Sequence, residues 1–251
     1  MKAIILAAGF GTRLYPLTQN QPKALLMLGG KTILDYLVEK LDYFPFIDEI
    51  ILVTSGRFYL DFEAWKTQTS YRKSIRIVHN DIYKPEDRFG AVRDMDLALK
   101  SFCGTPENFL IFCGDNYFDF PLGYFLLPCL GHPKSSFIGL YDVGDKSAAS
   151  QYGVADTDLH GRIIRFEEKP ANPSTTKVSI GVYYLTAPVR LKLYEYLEIE
   201  KRNPDKIGDF IGWLTAKEPV YGVDFDGAWF DIGSMESYEA ARRHIGYANA
   251  Q

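Results

Sequence analysis

The sequence predicts an α/β fold built on a mixed, mostly parallel β-sheet covered by helices on both faces. Three observations carry that prediction. Four short apolar, β-branched runs recur in the first half: "AIILAA" at 3–8, "EIILVTS" at 49–55, "SIRIVHN" at 74–80 and "NFLIFCGD" at 108–115. They are largely apolar without strict alternation, as expected of strands buried on both sides. Helical patterns lie between them, and such alternation of strand and helix marks a parallel sheet.

Taken in order, the first strand leads into a glycine-rich stretch, "LAAGFGTRLYPLTQNQPKALL" at 6–26. The segment "TILDYLVEKL" then sets Ile33, Leu34, Leu37, Val38 and Leu41 on one helix face, with Thr32 placed to cap it. A less regular stripe, Phe89, Val92, Leu97, Leu99 and Phe102, marks a helix in "FGAVRDMDLALKSF". Beyond about residue 135 the pattern changes to close-set strands, "SFIGLYDV", "YGVADTD", "GRIIRFEEKP" and "KVSIGVYYLT", parted by turns such as "DLHGR". There follow helical stretches from Val189 to about Lys201 and from Gly208 to Lys217. A strand pair around "VYGVDFDGAWFDIG" and a last helix with Ser234 as its N-cap complete the pattern. No Pro/Gly/Ser linker separates the halves, so 1–251 reads as one domain. Its second half, about 136–251, extends the sheet of the first, about 1–135, along one edge.

Composition narrows the chemistry. Hydrophobic residues make up 47%, charged residues 24%, and the formal net charge is −4, so nothing draws the chain generally to nucleic acid or anionic lipid. Any anion it binds must meet local positive charge. The N-terminal run is too short for a signal peptide or a membrane span, and the expectation is a cytoplasmic protein. Cys103, Cys113 and Cys129 are spaced for neither zinc nor disulfides and are expected to be reduced core residues. The four histidines have no ligand spacing and no nucleophile beside them, so no motif argues for covalent catalysis.

The opening loop is not one of the common phosphate loops. A dinucleotide fingerprint would need a third glycine where Leu14 stands, and a Walker reading of "GGKT" at 29–32 would need glycine in place of Leu25. What remains is a turn of Gly9, Gly11 and Thr12, then Arg13, with Lys23 brought back by "NQPK". Glycines let backbone amides approach an anion, Arg13 offers a fork of donors to phosphate oxygens, and Lys23 supplies a compact charge. Asp115 ends a buried strand, facing the crevice where open α/β sheets bind ligands, and Asp231 follows a strand near the C-terminus. Together with the loop, two such aspartates suit one Mg²⁺, which takes one or two carboxylates and draws its other ligands from substrate phosphates and water.

"LAAGFGTRLYPLTQNQPKALL" resembles the signature of the sugar-1-phosphate nucleotidyltransferases, L-A-[AG]-G-x-G-[ST]-R-L-x-P-x(6)-P-K, over its full length. The resemblance continues in order through "CGDNYF", "YGVADTD", "FEEKP", "SIGVYYL" and "AWFDIGS", and so spans nearly the whole chain. It implies a Rossmann-like three-layer α/β/α sandwich with a strand-rich sugar-binding elaboration. It also implies an enzyme joining an NTP to a sugar 1-phosphate with release of pyrophosphate. By resemblance, Leu6, Ala8, Gly9, Gly11, Thr12, Asn80 and Gly90 bind the nucleotide, and Arg13 and Lys23 are catalytic. Asn116, Gly153, Glu168, Lys169 and Gly181 bind the sugar phosphate, and Asp115 and Asp231 hold Mg²⁺. Asn80 stands where many members have glutamine, and Ala24 follows Lys23 where many thymidylyltransferases have glutamine. A pyrimidine triphosphate (dTTP or UTP) and glucose 1-phosphate are the favoured pair. Two alternatives stand beside this reading: a cytidylyltransferase for phosphocholine or another phosphorylated acceptor, and a non-catalytic nucleotide-sugar sensor. Nucleic acid and membrane are not expected partners, and a homo-oligomer is left open. No hexapeptide repeats follow the last helix, so no acetyltransferase β-helix is expected.

Overall fold

The computed structural model describes residues 1–102 and 107–248, so Cys103 lies outside the described residues. The first half contains β1 (Lys2–Leu6), a short hairpin of β2 (Met27–Leu28) and β3 (Lys31–Thr32), α1 (Ile33–Asp42), β4 (Glu49–Thr54) and α2 (Tyr59–Thr67). It continues with β5 (Ser74–His79), α3 (Ala91–Lys100), β6 (Phe109–Cys113), β7 (Asn116–Phe118) and α4 (Gly123–Gly131). The second half adds β8 (Ser136–Asp142), α5 (Lys146–Ala149), β9 (Gly153–Thr157), β10 (Ile163–Glu168) and β11 (Lys177–Leu185). Then come α6 (Val189–Tyr194), prolonged by a π-helical turn at Glu195–Ile199, α7 (Ile207–Thr215), β12 (Val220–Asp224), β13 (Trp229–Asp231) and α8 (Met235–Ala248).

One sheet runs in the order β10-β9-β11-β6-β1-β4-β5, with β8 paired to β11 and β12 to β8. Strands β6, β1, β4 and β5 are parallel, and β11 joins them antiparallel to β6, so the second half continues the sheet of the first. The near-continuous apolar strands are explained by the layers. Ala3, Ile5, Ile50, Leu52, Leu110 and Phe112 pack on one face with α1, α2 and α4, while Ile4, Ile51, Val53, Phe109 and Ile111 pack on the other with α3, α6 and α7. Alternate residues of each strand thus meet different helix layers. Thr32 and Asp35 form a reciprocal capping box that starts α1, and Ser234 Oγ accepts from Ser237 N at the start of α8.

Two expectations change. The helix at 89–102 begins only at Ala91, because Gly90 takes a left-handed φ of 92°. Phe89 therefore precedes the helix and is 51% exposed, and the buried stripe is Val92, Met95, Ala98 and Leu99 with Asp94 among them. The two strands around 220–233 form but do not pair with each other: β12 lies parallel to β8 and β13 antiparallel to β7. Phe225 explains the divergence. It is buried between them and stacks on Phe120 at 4.1 Å, anchoring the connection in the core.

Candidate active site

Two cavities open at the C-terminal ends of β1 and β6, as expected for ligand sites in open α/β sheets. The first, about 350 Å³, is lined by Leu6, Ala8, Gly9, Gly11, Thr12 and Arg13, together with Lys23, Asn80, Gly90 and Asp115. The second, about 220 Å³, is lined by Asn116, Gly153, Glu168, Lys169, Gly181 and Asp231, again with Asp115. Asp115 and Cys113 line both, and so mark where the cavities meet.

The loop after β1 is shaped by its own bonds. Gly11 adopts φ 62° and its carbonyl accepts from Thr18 Oγ1 at 2.7 Å and from Leu14 N at 2.8 Å, closing a 3₁₀ turn over Thr12–Leu14. Leu14 is fully buried in a cluster with Ile232, Tyr238 and Ile245, so the loop is fastened to α8 while Arg13 is left at the cavity. The space beside Arg13 exists because residue 233 is glycine: a Cβ there would sit 3.0 Å from Arg13 Nη2 and 3.4 Å from Asp231 Oδ2. Lys31 of the Walker-like "GGKT" lies elsewhere, with its ammonium 2.7 Å from Glu39.

Antiparallel pairing of β7 with β13 sets Asn116 opposite Asp231 and thereby brings the two aspartates to one place. Ile232 N donates to Asp115 O at 2.9 Å, which locks this register beyond the last strand pair. Lys23 Nζ donates to Asp115 Oδ2 at 2.6 Å, and Asn116 Nδ2 donates to Asp115 Oδ1 at 3.0 Å. Burial, and then the neighbouring Asp115 charge, pushes the Asp231 carboxyl up to about 6, while Lys23, Arg13 and Lys169 act the other way. Burial likewise raises the Glu168 carboxyl, opposed by Lys169 and Lys206. The Cys113 thiol is held well above its ordinary range by burial and by Asp115, which keeps it protonated and a poor nucleophile.

Residues 2–247 match the model of the family described as Nucleotidyl transferase. The chain belongs to the nucleotidyl transferase family. It is 29% identical over 251 residues to bifunctional protein GlmU of Methanococcus aeolicus, covering 98% of this chain and 54% of that protein. It is also 29% identical over 256 residues to UTP–glucose-1-phosphate uridylyltransferase of Synechocystis sp., covering 98% of this chain and 63% of that one. The chain thus spans between half and two thirds of the length of these relatives. Among solved structures, one named as a glucose-1-phosphate thymidylyltransferase from Bacillus anthracis superposes with a TM-score of 0.85 at 24% identity, covering 97% of this chain and 94% of that chain. UDP-glucose pyrophosphorylase complexed with UDP-glucose gives 0.81 at 22%, covering 98% of each. These two likenesses bear on the fold, which is that of the nucleotidyl transferases.

Two residues of this candidate site were not singled out from the sequence, Trp229 and Gly208. Trp229 lines the second cavity, donates from Nε1 to Asn116 Oδ1 at 2.7 Å and packs edge-on against Tyr152 with ring centres 5.1 Å apart. Its place two residues before Asp231 on a strand was the available signal, since alternate strand residues share a face. Gly208 is the seat of Glu168: a Cβ there would lie 2.0 Å from Glu168 Oε2. In the first cavity, the Asn80 amide is held in place by two bonds. Its Nδ2 donates to Asp94 Oδ1 at 2.7 Å and its Oδ1 accepts from Ile82 N at 3.1 Å. None of the four histidines lines either cavity. No helix among the described residues is long and apolar enough to cross a membrane.

Proposed function

We propose that the protein transfers a nucleotidyl group from an NTP in the first cavity to a sugar 1-phosphate in the second, releasing pyrophosphate and forming a nucleotide-sugar. The observation that carries this reading is the junction of two cavities at Asp115, with Lys23 at 2.6 Å from it. The first half, about 1–135, supplies most of the nucleotide cavity and the second, about 136–251, most of the acceptor cavity. The relatives' names favour dTTP or UTP with glucose 1-phosphate.

A phosphate oxygen of the sugar 1-phosphate attacks the α-phosphorus, one P–O bond forms, and the α–β bridging bond breaks with its electrons leaving on pyrophosphate. The nucleophile is already an anion near neutral pH, since the second ionisation of a phosphate monoester falls near 6, so no general base is required. What the reaction requires is relief of repulsion between two polyanions and in-line alignment. Lys23 sits between the two phosphates, Arg13 takes the leaving end, and Lys169 draws the acceptor phosphate in. Glu168, seated over Gly208, orients the sugar through its hydroxyls, and Trp229 gives the ring an apolar face.

Among the described residues, no group of three or more His, Cys, Asp or Glu side chains is gathered for a metal. Asp115 and Asp231 are a pair of oxygen donors beside a phosphate cavity, the donor set that suits Mg²⁺ and not a closed protein cage. When bound there, Mg²⁺ would neutralise phosphate charge.

The test is pyrophosphate release across nucleoside triphosphates crossed with sugar 1-phosphates and phosphocholine, with and without Mg²⁺. Turnover with a sugar 1-phosphate and Mg²⁺ is expected. Turnover with phosphocholine alone would transfer the reading to another acceptor, and binding without turnover of any pair would make the protein a sensor.

A further inference from the structure

Asp205 lines the nucleotide cavity and Lys206 lines the acceptor cavity. Apart from Asp115 and Asn116 at the junction itself, no other consecutive residues among those described divide between the two cavities in this way. The segment that carries them is tied down at its first residue, Asn203. Tyr196 Oη donates to Asn203 O at 2.8 Å, and Asp205 N donates to Asn203 Oδ1 at 3.0 Å. On the nucleotide side, the first amides of α3 do not point at an open ligand site. Ala91 N donates to Asp205 O at 2.9 Å and Val92 N to Pro204 O at 3.0 Å. Arg88, itself lining the nucleotide cavity, reaches Asp205 Oδ2 with Nη2 at 3.3 Å.

The seat for this segment is Gly90. A Cβ on residue 90 would lie 2.4 Å from Asp205 Cα and 2.4 Å from Pro204 O, which are backbone atoms that no side-chain rotation can move aside. Gly90 also holds φ at 92°, where an L side chain is strained. The absence of a side chain at one wall of the nucleotide cavity therefore fixes where a lysine stands in the acceptor cavity. Lys206, in extended conformation as the N-cap of α7, is close enough to oppose the rise of the Glu168 carboxyl.

We infer that residues 203–206 form a positioning strap that couples the two subsites, with Gly90 as its seat and Lys206 as its output in the acceptor cavity. Nucleotide packing against Gly90 and Arg88 holds the strap in place, and the held strap keeps Lys206 where it meets the anionic acceptor. By linkage the effect is reciprocal, so the acceptor tightens nucleotide binding as much as the nucleotide tightens acceptor binding. This inference rests on the nucleotidyl-transfer reading, and it concerns how the two sites communicate.

The experiment is a double-mutant cycle on the intact chain, once a triphosphate and a sugar 1-phosphate that it turns over are known. Failure to find any such pair would bear on the function and not on the strap. Lys206→Ala is expected to raise KM for the acceptor about tenfold or more while leaving the affinity for the triphosphate alone, measured by calorimetry, unchanged. Gly90→Ala is expected to raise the acceptor KM as well, and in the Lys206→Ala background that effect on the acceptor should vanish. Asp205→Gly, which loosens the strap without a clash, serves where Gly90→Ala does not fold. Additive effects of Gly90→Ala (or Asp205→Gly) and Lys206→Ala on the acceptor KM would overturn the coupling. An unchanged acceptor KM in Lys206→Ala would overturn it outright.

Discussion

Asp94 makes the stability of this protein depend on pH in a direction opposite to that of most carboxylates. Burial in the α3 stripe pushes its carboxyl from 3.8 up to about 6, only partly offset by the hydrogen bond from Asn80. In the unfolded chain the group ionises near 3.8, whereas the folded state keeps its proton until about 6. The folded state therefore binds more protons between these values, so stability is fully present below 3.8 and is lost as pH rises through about 6. The difference of about 2.2 units corresponds to about 3 kcal/mol at neutral pH, at roughly 1.36 kcal/mol per unit. Asp94→Asn keeps a carbonyl to accept from Asn80 Nδ2, which lies 2.7 Å from Asp94 Oδ1, and removes the buried charge. Relative to wild type, the variant should gain about 2 kcal/mol more stability at pH 7.5 than at pH 4.5. For a chain of this size that is a relative gain in Tm of roughly 4–8 °C. Paired thermal melts of the ligand-free proteins at the two pH values measure it. A stability gap between variant and wild type that is the same at both would refute the argument.

Four further outcomes are expected. Lys23→Ala and Arg13→Ala should each lower turnover by about two to four orders of magnitude while near-ultraviolet circular dichroism stays native; near wild-type turnover would remove that residue from the mechanism. Asp115→Asn should shift the metal dependence of activity to higher concentration, and an unchanged Mg²⁺ titration would refute its role as a ligand. Gly208→Ala places a Cβ 2.0 Å from Glu168 Oε2, so the carboxylate must leave its seat. The acceptor KM should rise with triphosphate affinity intact, and a wild-type acceptor KM would show that Glu168 does not touch the acceptor. Phe62→Ala, at a fully buried position on the core face of α2, should cost about 3–5 kcal/mol in denaturant unfolding; a loss below about 1 kcal/mol would refute its place in the core.

Much of the fold was legible because the relevant physics is local. Strands β1, β4 and β6 announced themselves because both sheet faces are covered, which forces apolar residues on alternate and intervening positions alike. Helix α1 was legible from Thr32, whose capping box needs only residues three apart. The start of α3 was not, because Gly90's conformation depends on its contact with Pro204 and Asp205, more than a hundred residues away. The same reason hid the separate pairing of β12 and β13, which Phe225 decides by stacking on Phe120. At the candidate site, the loop was singled out by its motif and the two aspartates by the resemblance, and the structure brings Arg13, Lys23, Asp115 and Asp231 to the linings of two adjoining cavities. Trp229 was signalled by its alternation with Asp231 along one strand, whereas Gly208 takes its meaning from Glu168 opposite it, and spacing along the chain carries no trace of that.

The pairing of β7 with β13 also sets an order in time. Asp115 is translated more than a hundred residues before Asp231 and waits for it. The opening loop too depends on late material, since Leu14 is buried against Ile232, Tyr238 and Ile245. A nascent chain that has finished the parallel strands has a sheet and a phosphate-facing turn but only one of the two carboxylates. The pair of carboxylates is thus completed only once β13 has been synthesised and docked on β7.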